Sequence, residues 1–155
     1  MATVKVLFTA GHNLIGDTVE FLTHSRWAHA SVFILGGIVE AVHPVVVLSP
    51  ANKYDGVEHE IIDVEILDIT KAEERAHSLI GIPYGLITDC LDGGLNDLIG
   101  YHAKGNGTKT VNCSETVTRI LRAGGLDILP GVAADCVTPE CLYQALLLID
   151  KQEVA

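Results

Sequence analysis

The apolar and polar positions of this chain fall into short periodic blocks. The opening VKVLFTAG, β-branched and aromatic at its centre and closed by Gly11, predicts a strand. Residues 14–23 place Ile15, Val19 and Leu22 on one helical stripe. His29 to Leu35 and Ile38 to Val42 read as two strands joined by Gly36-Gly37, a dipeptide suited to the positive φ angles of a tight hairpin. Pro44 to Leu48 and Glu60 to Ile69 predict further strands, with alternation in DVEILDI. Thr70-Lys-Ala-Glu73 has capping-box spacing. It predicts a helix over 71–80 with Ala76, Leu79 and Ile80 inward and Gly81 as its stop.

A further helical region is expected over 86–100, interrupted by Gly93-Gly94, and a loop over AKGNGTK, 103–109. Asn112 and Glu115 repeat the capping-box relation. A helix should therefore begin at Cys113, bury Val117, Ile120 and Leu121, and end at Gly124-Gly125. Thr138-Pro139 starts a last helix to about residue 150, because proline suits the first helical position. Helices before, between and after mostly hairpin-linked strands predict one α+β domain over 1–155.

Composition narrows the class. The 155 residues are 48% hydrophobic and 19% charged, a balance that supports an unaided core. A net charge of −10 disfavours nucleic acid and anionic lipid as generic partners. No apolar run approaches the roughly 20 residues of a membrane helix. The start lacks a charged-then-apolar secretory leader, so the expected compartment is the cytoplasm. The four cysteines, 90, 113, 136 and 141, show no CxxC pairing and are expected to stay reduced.

The chemistry centres on VNCSETVTRIL, residues 111–121. As first residue of its helix, Cys113 faces the positive end of the macrodipole and unpaired N–H groups, both of which favour the nucleophilic thiolate. Taken alone, a cysteine at a helix start is more often structural. A catalytic one needs an imidazole and a third polar group to orient that imidazole. His12, His59, His77 and His102 have surface contexts, and His24 and His29 lack metal-ligand spacing. His29 differs because it opens the apolar strand HASVFIL, and Glu40 is equally out of place in IVEAV.

With Gly36-Gly37 as the turn, Phe33 would face Glu40. His29 and Glu40 would then share a face but lie about 13 Å apart along the strands, too far for contact. Either the hairpin is bulged or splayed, or His43 or a backbone carbonyl orients the ring instead.

In this order WAHASVFILGGIVEAVHPV (27–45), GIPYG (81–85) and NCSETV (112–117) resemble the circularly permuted papain-like hydrolases. These are YiiX-like relatives of the NlpC cell-wall peptidases, and more distantly of the lecithin:retinol acyltransferase group. The resemblance implies an antiparallel sheet or barrel packed against helices. It also implies Cys113 as nucleophile, His29 as base and acid, Glu40 as the polar third member, and Tyr84 near the cleft. Tyr84 and Ser114 are the expected substrate-binding or oxyanion-side residues.

The expected activity is that of a cysteine peptidase or amidase acting on a peptide or acyl-amide, without cofactor or metal. Murein is the substrate class that the resemblance suggests, and reaching it from the cytoplasm would take lysis or a phage. The alternatives are acyl or lipid chemistry of the acyltransferase kind and a non-catalytic binding or structural module on the same scaffold.

Overall fold

In the computed structural model, residues 1–10, 26–85 and 109–153 are described. Five strands, β1 (Ala2–Thr9), β2 (His29–Ile34), β3 (Gly37–Val42), β4 (Val45–Ser49) and β5 (His59–Ile66), make one antiparallel sheet ordered β4-β3-β2-β1-β5. The described helices are α1 (Ile69–Leu79), α2 (Cys113–Ala123) and α3 (Pro139–Glu153), with a 3-10 turn at Ala134–Cys136. This is the α+β arrangement that the periodicities predict.

Strand register decides which residues meet the helices. Val6 lies opposite Val32, and Val32 opposite Val39, so these side chains share one face of the sheet. That face packs against Ala72, Ala76 and Leu79 of α1, Val117, Ile120 and Leu121 of α2, and Leu142 and Leu146 of α3. By the same alternation, Leu7, Ser31, Ile38 and Glu40 point to the other side, and all four are buried as well. The centre of the sheet is thus covered on both faces, which makes a carboxylate there costly unless it is partnered.

α2 is buried along most of its length. Cys113 to Thr118 are all inaccessible, although four of these six residues are Ser, Glu or Thr. Their polar atoms are satisfied locally: Thr116 and Thr118 donate to the carbonyls of Asn112 and Ser114, four residues back, and Glu115 pairs with Arg119 at 2.7 Å. Residues 81–85 tie this helix to the sheet. Gly81 and Tyr84 donate to the carbonyls of Val46 and Pro44, Val46 donates to Ile82, and Tyr84 bridges Val111 in parallel. Gly85 is required at that crossing, because a Cβ there would lie 2.5 Å from Thr110 Oγ1.

Several boundaries differ from expectation. The hairpin turn is Leu35-Gly36, at φ of 58° and 76°, with Gly37 inside β3. The cap of α1 is Asp68, whose side chain accepts from the Lys71 amide at 3.0 Å; Thr70 is exposed in the first turn, and Ile80 lies outside the helix at 37% exposure. β4 ends at Ser49, one residue beyond the expected limit, and β5 ends at Ile66 because α1 begins three residues later. The expected helix over 14–23, the region 86–100 with Cys90, most of the 103–109 loop, and His12, His24 and His102 lie outside the described residues. Among the described residues no helix is long and apolar enough to cross a membrane.

Candidate active site

The site starts from the cap of α2. The Asn112 side chain accepts from the Glu115 amide at 2.8 Å, and Glu115 returns a bond from the Asn112 amide at 3.2 Å, completing a capping box. Asn112 also donates to the Asp135 carbonyl at 3.3 Å, which anchors the cap to the 3-10 turn. With the amides of Glu115 and Thr116 taken, those of Cys113 and Ser114 are the ones the cap leaves over. Ser114 and Ala30 turn their N–H groups to the Cys113 sulfur.

His29 comes from the first position of β2, opposite Thr9. Glu40 lies in mid-β3, opposite Val47. The β2–β3 ladder pairs Phe33 with Ile38, not with Glu40, so extending it sets Ser31 across from Glu40. His29 is then one diagonal away, roughly 7–8 Å between backbones and within reach of two long side chains. Moving the turn by one residue thus halves the offset expected from a Gly36-Gly37 turn, from four residues to two. His29 Nε2 and Glu40 Oε2 are 2.8 Å apart.

The other ring nitrogen of His29 remains for Cys113, with which it is hydrogen-bonded. Carboxylate, imidazole and sulfur thus form one connected line. Glu40 has 0% and Cys113 1% exposure, while the His29 side chain keeps 17%. His43 is exposed in the turn after β3.

Charge follows from this geometry. Burial works against ionisation of Cys113. The hydrogen bond to His29, its positive charge, and the N–H groups of Ala30 and Ser114 outweigh that, and the thiol is held below its ordinary range. Burial likewise disfavours imidazolium, yet the bonds to Cys113 and Glu40 raise His29 to about 9. Glu40 is lowered to about 2: burial opposes this, and His29, Lys53 and Ser49 overcome it. These shifts favour a thiolate–imidazolium pair, backed by a carboxylate, over the neutral thiol and imidazole.

Tyr84 is half-buried near the sulfur, and burial followed by the Cys113 charge pushes its phenol above the ordinary range, so it stays a donor. Ser114 is different. Its hydroxyl is fully buried and donates to the Val137 carbonyl and to Asn112 Oδ1 at 3.1 Å, so what it presents toward the sulfur is its amide.

Three neighbours of Glu40 went unseen in the sequence. Ser49 donates to Oε1 at 2.5 Å, Lys53 to the same oxygen, and Tyr54 to Oε2 at 2.5 Å. Ser49 could have been found from register, being two residues beyond Val47 on the strand beside Glu40. Lys53 and Tyr54 belong to the irregular connection 50–58, where no periodicity points inward.

No protein-family model matches the chain, and comparison with curated proteins returns no match.

Proposed function

We propose that the protein is a cysteine hydrolase of the circularly permuted papain-like kind, cleaving a peptide, isopeptide or related acyl-amide bond. The observation that carries this reading is the line Cys113–His29–Glu40, with its sulfur at a capped helix N-terminus. A structural cysteine needs only an apolar wall and no charged imidazole.

The chemistry divides into two displacements. The Cys113 thiolate adds to the carbonyl carbon, forming a C–S bond and sending the carbonyl π electrons onto oxygen. Donors at the helix start suit that oxyanion, and the Tyr84 phenol, close enough to feel the Cys113 charge, is a further candidate donor. When the oxyanion collapses, the C–N bond breaks and the amine leaves with the proton from the His29 imidazolium. His29, now neutral, accepts a proton from water as the water oxygen adds to the thioester carbon. Collapse of this second adduct breaks the C–S bond, releases the acid and restores the thiolate–imidazolium pair. Glu40 keeps the ring oriented throughout.

Murein peptides are the substrate class to try first, on the strength of the resemblance in residues 27–45, 81–85 and 112–117. Murein digests and a mixed peptide library, assayed by mass spectrometry, should yield new amines with wild type and none with Cys113→Ala or His29→Gln. A peptidyl aldehyde should add to Cys113. Equal product from wild type and Cys113→Ala overturns the proposal.

A further inference from the structure

A carboxylate beside a catalytic imidazole presents a difficulty. Left alone in a buried site, it would bind the imidazolium so firmly that His29 could neither hand its proton to a leaving amine nor act afterwards as a base. The surroundings of Glu40 address this. A carboxylate has about four lone-pair positions, and four donors occupy them here: His29 and Tyr54 on Oε2, Ser49 and Lys53 on Oε1.

We propose that Lys53 and Tyr54 are positioning residues that share the charge of Glu40, so that the carboxylate orients His29 without retaining its proton. The proposal rests on the hydrolase reading for its purpose, but the charge sharing can be measured without turnover. Tyr54 competes with His29 for the same oxygen, and its ring centroid lies 5.9 Å from that of His29. Lys53 places a full positive charge on the opposite oxygen while its side chain stays 37% exposed. Both reach Glu40 from the 50–58 connection, which is held by turns from Lys53 to Pro50, Asp55 to Asn52 and Val57 to Tyr54.

Among the described residues, the charged and titratable groups facing His29 and Glu40 are Cys113 from α2 and Lys53 and Tyr54 from this connection, with Tyr84 beside Cys113. Burial, then the bond to Glu40, raises the Tyr54 phenol far above its ordinary range, so it remains a donor.

The sign of the effect separates this role from a merely structural one. Removing a donor from Glu40 leaves more of its charge for His29, and removing Lys53 also takes a like charge away from the imidazolium. Both changes raise the proton affinity of His29, whereas Glu40→Gln lowers it.

The test titrates the His29 imidazole by NMR in full-length Cys113→Ala, where the thiolate no longer contributes. Lys53→Met and Tyr54→Phe should each move the His29 midpoint up by about half a pH unit, about threefold in proton affinity. Lys53→Arg should restore it, and Glu40→Gln should move it down. An unmoved or lowered midpoint in folded Tyr54→Phe, a change of one oxygen atom, overturns the proposal even if Lys53→Met does not fold. With Cys113 restored, the acid limb of kcat should rise by the same amount while KM stays constant. Shifted midpoints without any turnover would leave charge sharing intact and remove the hydrolase reading; turnover with unshifted midpoints would do the reverse.

Discussion

The most direct physical test of the buried carboxylate is its contribution to stability in acid. Glu40 ordinarily titrates near 4.5 and is lowered to about 2 in the fold, its burial more than offset by His29, Lys53 and Ser49. A depressed carboxylate stabilises the folded state fully above its unfolded value and loses that contribution as pH falls through its folded value. The window is therefore about pH 4.5 down to pH 2. Across it the unfolded chain binds the extra proton, so stability rises with pH, and the difference amounts to about 3 kcal/mol. About 2 kcal/mol should already be gone at pH 3.

His29 stays protonated in both states over this range and adds nothing. Asp68 and Glu115, which also shift, do so equally in both proteins compared. The perturbation is Glu40→Gln, which keeps the shape and abolishes the titration. Urea unfolding of wild type and Glu40→Gln at half-unit steps from pH 6 to 3 measures the gap. At a typical slope of about 1–3 kcal/mol per molar urea, the midpoint gap should close by about 1 M. A gap that stays constant to within about 0.5 kcal/mol would show that Glu40 is not held ionised by its neighbours.

Three further outcomes follow from the same geometry. Because Cys113 is lowered and His29 raised to about 9, alkylation of Cys113 by iodoacetamide should proceed below the ordinary thiol range and change again near pH 9 as the pair loses its last proton. Peptide mapping against the exposed Cys141 checks this, and His29→Gln should remove the low-pH reactivity. Asn112→Ala removes the side-chain half of the capping box and the bond to Asp135, while the backbone N–H that donates to Glu115 remains, and thermal unfolding should report a loss of about 1–2 kcal/mol. Ser31 is fully buried, and its hydroxyl has no hydrogen-bond partner among the described residues. Ser31→Ala should thus be neutral or stabilise by about 1 kcal/mol, and a clear loss in urea unfolding would reveal a partner for that oxygen.

The helix of Cys113 was legible because everything that defines its start lies within three residues. Asn112 and Glu115 exchange side-chain and backbone bonds locally, and the Val117, Ile120 and Leu121 stripe needs no knowledge of what it packs against. His29 and Glu40 stood out for a similar reason, as polar residues in apolar strands. Whether they touch was not legible, because contact depends on register and register on which residues form the turn.

Of the two adjacent glycines, Gly36 serves the turn. Gly37 serves packing, since a Cβ on it would lie 2.6 Å from the Ser49 carbonyl oxygen. Leu35 takes the other left-handed turn position, against local preference, and its side chain packs partly buried against the core.

By itself, then, the sequence determined the α+β class, the capped helix with its thiol, and two misplaced polar side chains. The tertiary structure alone decided that imidazole meets carboxylate and that Ser49, Lys53 and Tyr54 complete the carboxylate's shell. Local hydrogen bonds and periodicity act over a few residues and are written into the chain. Contacts 9 to 14 residues apart form only once β4 and the connection after it have folded back over β3.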